Sequence, residues 1–186
     1  HQNARSLQLL IQQLLNYNAI KHSHSLEVAA VNIRKLCEKI RNQLNNANTE
    51  GKTVHYEFSG KWKKVPCDRQ CLEMILSNLL SNAQRSVGDN GRIVVDWNRE
   101  QDHWWLSVSD DGPGIPDNEQ EAIFKPFYQG RGAHKGHLKG SGMGLAIVRE
   151  CVLRLKGNIQ LESVPNQRTT FTIRFPVEDQ HYHEAA

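Results

Sequence analysis

The chain has 186 residues, with 23 Lys and Arg against 20 Asp and Glu and a formal charge of +3 at pH 7. This length suits one ordinary domain with a substantial core and one appended segment. The mild charge, and the lack of a dense Lys/Arg run with interleaved aromatics, argue against nucleic acid as a partner. No apolar run approaches the roughly 18 residues of a membrane span, and no signal-peptide core occurs at the N-terminus.

An amphipathic helix is predicted for residues 1–20, where apolar side chains recur with a heptad-like spacing. The apolar positions are Leu7, Leu10, Ile11, Leu14, Leu15 and Tyr17. A single helix of this length is marginally stable in water, so its apolar stripe needs a partner. We favour dimerisation through the stripe, and the alternative is packing against the helix's own domain. Because the chain starts without Met inside this pattern, we expect it to be a piece of a longer protein.

A domain boundary is predicted at residues 21–25, which have the composition of a linker, with two histidines and two serines. The main domain then covers residues 26–177. Residues 178–186 form a tail with no structural signal.

The first half of this domain begins with a short apolar step at residues 26–31 and a helix over residues 32–44. Residues 53–58 alternate as a strand, and residues 62–65 are predicted to form its short antiparallel neighbour. Asp68 is a plausible N-cap for the helix that follows.

One face of that helix is apolar, because its apolar residues recur at helical intervals. These positions are Leu72, Ile75, Leu76, Leu79 and Ala83. Asn78, Asn82 and Arg85 share another face. An amide is costly to bury without a partner, so this face is either a polar edge facing water or a surface for a ligand.

A hairpin is predicted next, with strands over residues 92–97 and 104–109. The second strand ends at Asp110, which is followed by Gly112 and Gly114. An aspartate at a strand end beside glycines places a hydrogen-bond acceptor at the floor of a pocket, with backbone close by. A plain loop is the alternative reading.

Residues 119–124 are predicted to make one or two helical turns, and residues 128–140 are rich in Gly, His, Lys and Arg without any hydrophobic period. A cationic loop of this length within a domain is typically a lid or disordered. Its charges, Arg131, Lys135 and Lys139, suit a polyphosphate.

Alternating glycines at Gly140, Gly142 and Gly144 lead directly into a helix predicted over residues 141–156. Glycines let the backbone approach a ligand, and the first amides of a helix favour an anion. The spacing differs from that of the P-loop and of the dinucleotide motif, so alone this signal is weak. Residues 159–163 and 169–175 are predicted to form the last two strands.

The four cysteines lie in apolar segments without paired Cys-x-x-Cys units, which predicts buried thiols in a reducing compartment. They are Cys37, Cys67, Cys71 and Cys151. A zinc site formed by Cys67, Cys71 and a histidine is a less favoured alternative.

Taken together, four segments resemble the N, G1, F and G2 boxes of sensor histidine kinases in order and approximate spacing. They are residues 78–82, 110–114, 124–127 and 140–144. The resemblance covers the ATP-binding domain, while residues 1–20 look like the second helix of the family's dimerisation and phosphoacceptor hairpin. Residues 129–151 most resemble the enterobacterial QseE/GlrK type. The implied fold is an α/β sandwich, the Bergerat fold, with a mixed sheet packed on three helices.

The resemblance also implies a role for each matching residue. Asp110 would accept the adenine amino group, Asn82 would ligate Mg²⁺, and Arg85 would face the phosphates. Phe124 and Phe127 would anchor the lid, whose cations are Arg131, Lys135 and Lys139. The remaining ATP-binding positions would be Gly112, Gly114, Ile115, Gly140, Ser141, Gly142, Met143, Gly144 and Leu145.

Asn78 separates two enzymatic hypotheses. In the gyrase and chaperone ATPases of this fold, the matching residue is a glutamate that activates water, whereas an amide cannot take a proton at neutral pH. A phosphoacceptor histidine is nucleophilic without a strong base. The resemblance therefore implies phosphoryl transfer from Mg-ATP to a histidine and then to a response regulator, in the cytoplasmic part of a bacterial inner-membrane kinase.

The chain departs from the family pattern in two places. The phosphoacceptor box is absent, so we expect no self-labelling, and Ser86 and Val87 replace an aromatic or Lys-Tyr pair found in many relatives. The alternatives are a Bergerat ATPase of the chaperone or gyrase type, and a module that binds nucleotide or a partner without catalysis.

Overall fold

The computed structural model describes residues 2–22, 25–48, 51–130 and 141–177. Helices and strands alternate irregularly along these ranges. The helices are α1 (Gln2–His22), α2 (Ile33–Asn46), α3 (Arg69–Ser86) and α4 (Gly144–Arg154). The strands are β1 (Val28–Val31), β2 (Val54–Phe58), β3 (Val65–Asp68), β4 (Gly91–Arg99), β5 (His103–Asp110), β6 (Asn158–Val164) and β7 (Arg168–Pro176). Two single-turn 3-10 helices, Asp117–Glu119 and Ala122–Phe124, follow β5 at about the predicted place.

A five-stranded mixed sheet in the order β2-β4-β5-β7-β6 forms one layer. Strands β2 and β4 are parallel, and the other neighbours are antiparallel. Helices α2, α3 and α4 form the second layer, with α3 packed between α2 and α4. Buried positions alternate along β4 and β5, so one face of these strands faces the helices. This arrangement confirms the predicted α/β sandwich.

The predicted pairing of residues 62–65 with residues 53–58 is wrong. Strand β3 instead pairs antiparallel with β1, and Val65 lies opposite Val31. Strand β2 lies parallel to β4, with Val54 opposite Gly91. Both pairings join segments more than 30 residues apart. A turn motif predicts only the pairing of strands adjacent in sequence, so the sequence contains no local signal for these two pairings.

The structure tests the predicted starts of helices α3 and α4. The side chain of Asp68 accepts a hydrogen bond from the Cys71 amide at 2.9 Å, which confirms the predicted N-cap of α3. Helix α4 begins at Gly144 rather than at the predicted position of about 141. The reason is Gly142, whose φ of +72° is incompatible with a right-handed helix.

Helix α1 has a buried end and an exposed middle. Ile20 is 5% exposed within the core, Tyr17 is half-buried, and α1 packs against α4. Ile11, Leu14 and Leu15 remain 50%, 42% and 57% exposed. Packing against the domain therefore accounts for the C-terminal end of the helix, and the middle of the apolar stripe is uncovered. Within the described ranges, no helix is long and apolar enough to cross a membrane.

All four cysteines are buried and free, as predicted. In the part of the chain that the structure describes, no three His, Cys, Asp or Glu side chains are grouped to hold a metal ion. The zinc alternative built on Cys67 and Cys71 therefore finds no support among these residues. The predicted tail, residues 178–186, lies outside the described residues.

Candidate functional site

Asn78 lies at the contact between α3 and the start of α4. Its Nδ2 donates to the Met74 carbonyl oxygen at 2.8 Å, one turn earlier in α3. A Cβ placed on Gly144 would lie 2.8 Å from Asn78 Oδ1, so a side chain there would displace the amide. The close approach of the Asn78 side chain to the backbone, rather than flexibility, therefore favours glycine at the first residue of α4.

Asn82 and Arg85 lie together further along the same helix. One guanidinium nitrogen of Arg85 donates to Asn82 Oδ1, and the other donates to Ser81 Oγ at 3.0 Å. Asn82 is half-buried and Arg85 is exposed. This pair places an amide oxygen and a permanent positive charge side by side near the end of α3.

Asp110 is a buried carboxylate at the end of β5, 7% exposed. Burial raises its pKa to about 6, although a hydrogen bond from the Gly112 amide to Oδ1 at 3.0 Å acts in the opposite direction. A Cβ on Gly112 would lie 2.6 Å from Asp110 Oδ1 and 3.0 Å from Ser86 Cβ. Glycine at this position lets the carboxylate reach the amide and brings the end of α3 close to it.

Thr169 is a buried residue that the sequence analysis did not single out. It lies directly opposite Asp110 in the pairing of β5 with β7, and it is 5% exposed. Its Oγ1 is 3.3 Å from Ser163 Oγ, which accepts a hydrogen bond from the Ile115 amide at 2.8 Å. Only the register between two distant strands reveals this hydroxyl, since threonine is an ordinary strand residue.

Gly114 has a packing role. Its φ is +73°, and a Cβ there would lie 2.5 Å from the Val164 carbonyl oxygen. The Asn166 amide also donates to the Pro113 carbonyl oxygen at 2.7 Å. The loop after β5 is therefore fixed against the turn between β6 and β7, which holds Ile115, half-buried, beside the site.

The two ends of the predicted lid are joined by backbone. The Phe127 amide donates to the Gly142 carbonyl oxygen at 2.9 Å. Phe124 packs edge-on against Phe171, with ring centroids 6.2 Å apart, as an anchor requires. Phe127 is 59% exposed, so its contact with the other end of the lid is made by backbone, and its anchoring role stays a prediction. Residue 127 holds the lid end through its amide.

The loop before α4 leaves backbone amides available. Ser141 Oγ accepts a hydrogen bond from the Met143 amide at 3.1 Å, Met143 is fully buried, and Leu145 is half-buried. No side chain caps the start of α4 among the described residues. Uncapped amides at a helix N-terminus favour an anion.

The remaining predicted site residues, Arg131, Lys135, Lys139 and Gly140, lie outside the described residues. Within the described part, the structure brings the other predicted segments together. Helix α3 approaches the loop after Asp110 at Gly112 and contacts the start of α4 through Asn78. The Asp110 carboxylate therefore lies near the C-terminal end of α3, which carries Asn82 and Arg85. A ligand with a hydrogen-bonding base and an anionic end matches this distribution.

Comparison with known proteins agrees with this geometry. Residues 67–179 match the family described as histidine kinase-, DNA gyrase B-, and HSP90-like ATPase. The chain is 32% identical over 174 residues to the sensor histidine kinase GlrK of Escherichia coli (strain K12), an alignment that covers 94% of this chain and 36% of GlrK. The narrower resemblance to the QseE/GlrK type is thereby confirmed.

Solved structures show the same fold. The Acinetobacter baumannii histidine kinase AdeS superposes with a TM-score of 0.77 at 24% identity, covering 95% of this chain and 81% of AdeS. Full-length ShkA in complex with AMPPNP gives a TM-score of 0.76 at 23% identity, covering 91% of this chain and 35% of ShkA. The chain belongs to the histidine kinase-, DNA gyrase B- and HSP90-like ATPase family, and its fold is that of the ATP-binding catalytic domain of sensor histidine kinases.

Proposed function

We propose that this chain binds Mg-ATP and transfers the γ-phosphate to a histidine on a helical hairpin, for onward transfer to the receiver domain of a response regulator. The observation that carries the proposal is Asn78. It is an amide where the water-activating ATPases of this fold have a carboxylate, and it sits against the start of α4.

Recognition of the base rests on Asp110. A largely ionised carboxylate at pH 7, with Oδ1 held by the Gly112 amide, leaves Oδ2 to accept from an adenine amino group. The cross-strand position of Thr169 makes its hydroxyl a second candidate contact for the base, directly or through water.

Phosphate binding rests on α3 and α4. Arg85 supplies positive charge, and the start of α4 supplies amides. The amide oxygen of Asn82 is a neutral hard donor of the kind that suits Mg²⁺ already sharing phosphate oxygens, so the residues present fit this ion. Arg85 bonds that oxygen in this structure, so its guanidinium must turn toward the phosphates when the metal binds. Bound Mg²⁺ would neutralise charge on the phosphates.

The proposed nucleophile follows from the absence of a proton-accepting group in the Asn78 side chain. Its Oδ1 and Nδ2 cannot accept a proton at neutral pH, so water would remain unactivated there. A neutral imidazole needs no base, and the protein's contribution reduces to positioning and charge neutralisation. Steady release of phosphate from ATP would favour the ATPase alternative, and absence of nucleotide affinity would favour a non-catalytic module.

The decisive experiment mixes the chain with Mg-ATP and a separately made phosphoacceptor hairpin. We expect phosphate on a hairpin histidine and none on the chain itself. Asn82→Ala is expected to lower the transfer rate roughly 100-fold, because it removes the metal ligand. Gln70→Ala, an exposed residue of the same helix, is the matched control. Transfer that survives both Asn82→Ala and Asp110→Ala would contradict the proposed site.

The partners proposed for α1 are the other helix of its hairpin and a second copy of the chain. The double substitution Ile11→Ser and Leu15→Ser is expected to shift the chain from dimer to monomer at micromolar concentration. Burial of each apolar side chain of this size would contribute roughly 1.5–3 kcal/mol to association, and Ile11 and Leu15 are both exposed in the single chain. Sedimentation velocity measures the shift, with the exposed Gln8→Ser as control. Equal mass for all three proteins would argue against this interface.

The location proposed for the whole protein is the cytoplasmic side of a bacterial inner membrane. The chain spans 36% of the length of GlrK, a sensor kinase. Sensing regions would lie in the remainder of such a protein.

A further inference from the structure

The C-terminal end of α4 holds the junction between α1 and β1. Arg154, the last residue of α4, donates from Nη1 to the Ile20 carbonyl oxygen at 3.4 Å and from Nη2 to the Ser25 carbonyl oxygen at 2.5 Å. The carbonyls in the last turn of a helix have no intrahelical partner, and an arginine is a favourable donor to them. One side chain therefore bonds the end of α1 and the segment that enters the catalytic domain.

Asp68 holds the same junction from α3. Its Oδ1 accepts from the Cys71 amide, and its Oδ2 accepts from the Glu27 amide at 3.0 Å. Burial would raise the pKa of Asp68, but these two amide bonds and the nearby charge of Arg154 outweigh it and lower the pKa. A charged Asp68 therefore serves both as the cap of α3 and as a tie to the start of β1.

Apolar packing fixes the remaining side of the junction. Ile20 is 5% exposed and belongs to the main core, and Tyr17, one turn earlier, is half-buried against it. The uncovered residues Ile11, Leu14 and Leu15 begin only beyond this contact. The end of α1 is thus held by Arg154 and by the core, while Asp68 holds the segment that enters β1.

The two helices that hold the junction also carry the candidate site. Helix α4 begins at Gly144, against Asn78, and ends at Arg154. Its 11 residues place these ends about 16 Å apart on one rigid element. Asp68 caps α3, which carries Asn78 and Asn82. A change in the angle of α1 at this junction would therefore reorient α3 and α4, and with them Asn78, Asn82 and the first amides of α4, relative to α1.

We propose that Arg154 is a positioning residue for phosphoryl transfer, fixing the catalytic domain against α1 so that the γ-phosphate meets the acceptor histidine in a defined orientation. The inference rests on the proposed function. Orientation can supply much of the rate of a transfer between two bound groups, whereas it contributes nothing to nucleotide affinity. Loss of Arg154 should therefore lower the transfer rate at saturating ATP and leave ATP binding unchanged.

The test uses the chain fused ahead of α1 to an acceptor helix that carries a histidine, so that transfer depends on the junction. Arg154→Gln is expected to lower the single-turnover transfer rate about tenfold, with affinity for a fluorescent ATP analogue within about twofold. Amide hydrogen exchange is expected to rise in the last turn of α1, which loses its bond to Arg154, and at Glu27, because Asp68, which holds the Glu27 amide, loses the nearby charge of Arg154. Arg154→Lys, which keeps the charge, should give intermediate values. Arg149→Gln, an exposed arginine of the same helix, should change nothing.

The readouts separate the two proposals. If amide hydrogen exchange is unchanged in Arg154→Gln, then Arg154 does not hold the junction, whatever the transfer rate. Increased exchange with an unchanged or faster transfer rate overturns the positioning role. A parallel loss of ATP-analogue affinity would show a general structural defect and would also overturn it. If the unsubstituted fusion does not label its histidine, the proposed function is overturned, and with it the positioning role. The exchange data still test whether Arg154 holds the junction.

Discussion

Replacing Asp110 by Asn is expected to weaken ATP binding roughly 100-fold or more while making the unliganded protein more stable at pH 7. Asn Oδ1 would still accept from the Gly112 amide, but Nδ2 would present a donor where the adenine amino group needs an acceptor. The stability gain follows from the burial that raises the pKa of Asp110 to about 6. Raising the pKa of Asp110 to about 6 corresponds to at most about 3 kcal/mol of the folding free energy.

The pH dependence gives this prediction a definite sign. In the folded state Asp110 keeps its proton up to about pH 6, whereas an unfolded aspartate loses it near pH 3.9. Between these values the folded state binds more protons, so this residue lowers the free energy of unfolding as the pH rises, and its effect is constant above pH 6. The advantage of Asp110→Asn should therefore be small at pH 4 and complete at pH 7.

Urea unfolding at both pH values measures this difference, and titration with a fluorescent ATP analogue measures affinity. Asp111→Asn is the matched control, because Asp111 is an exposed neighbour whose oxygen accepts from the Arg92 amide, a bond that Asn can keep. ATP affinity of the unsubstituted protein should also fall as the pH drops through 6. A variant that keeps its ATP affinity, or whose stability advantage over the unsubstituted protein is no larger at pH 7 than at pH 4, would contradict the proposed role.

Replacing Gly142 by Ala is expected to destabilise the protein by roughly 3 kcal/mol and to abolish nucleotide binding. Two effects add, because the residue has a φ of +72° and its Cβ would lie 2.6 Å from the Phe127 carbonyl carbon and 2.7 Å from the Tyr128 carbonyl oxygen. These are backbone atoms, so relief requires movement of the chain. Such movement breaks the bond from the Phe127 amide to the Gly142 carbonyl and displaces the start of α4.

Two other glycines separate the contributions. Gly51 has a φ of +68° with no atom within 4 Å of its Cβ position, so Gly51→Ala should cost only the roughly 1 kcal/mol of the backbone conformation. Gly88 has open space and no positive φ, and Gly88→Ala should be nearly neutral. Thermal unfolding of the three variants measures the series. Equal losses at Gly142 and Gly51 would mean that the contact with Phe127 and Tyr128 is not tight.

The amino-acid sequence alone determined the features that depend on neighbouring residues. The helical spacing of apolar residues predicted α3, the side chain of Asp68 predicted its start, and two successive segments of alternating residues predicted the β4–β5 hairpin. The four boxes, in order, indicated the family. Each of these signals is local, because capping, turn geometry and amphipathic periodicity act over a few residues.

Only the tertiary structure decided which distant segments meet. The pairing of β1 with β3, the place of Thr169 opposite Asp110 and the bonds from Arg154 to residues 20 and 25 all join segments far apart in sequence. The exposure of Phe127 and the later start of α4 depend on how the chain passes Gly142. The local propensities of these residues would be the same in any other pairing of the strands, so they do not predict which strands pair. The pairing is decided by the free energy of packing the whole core.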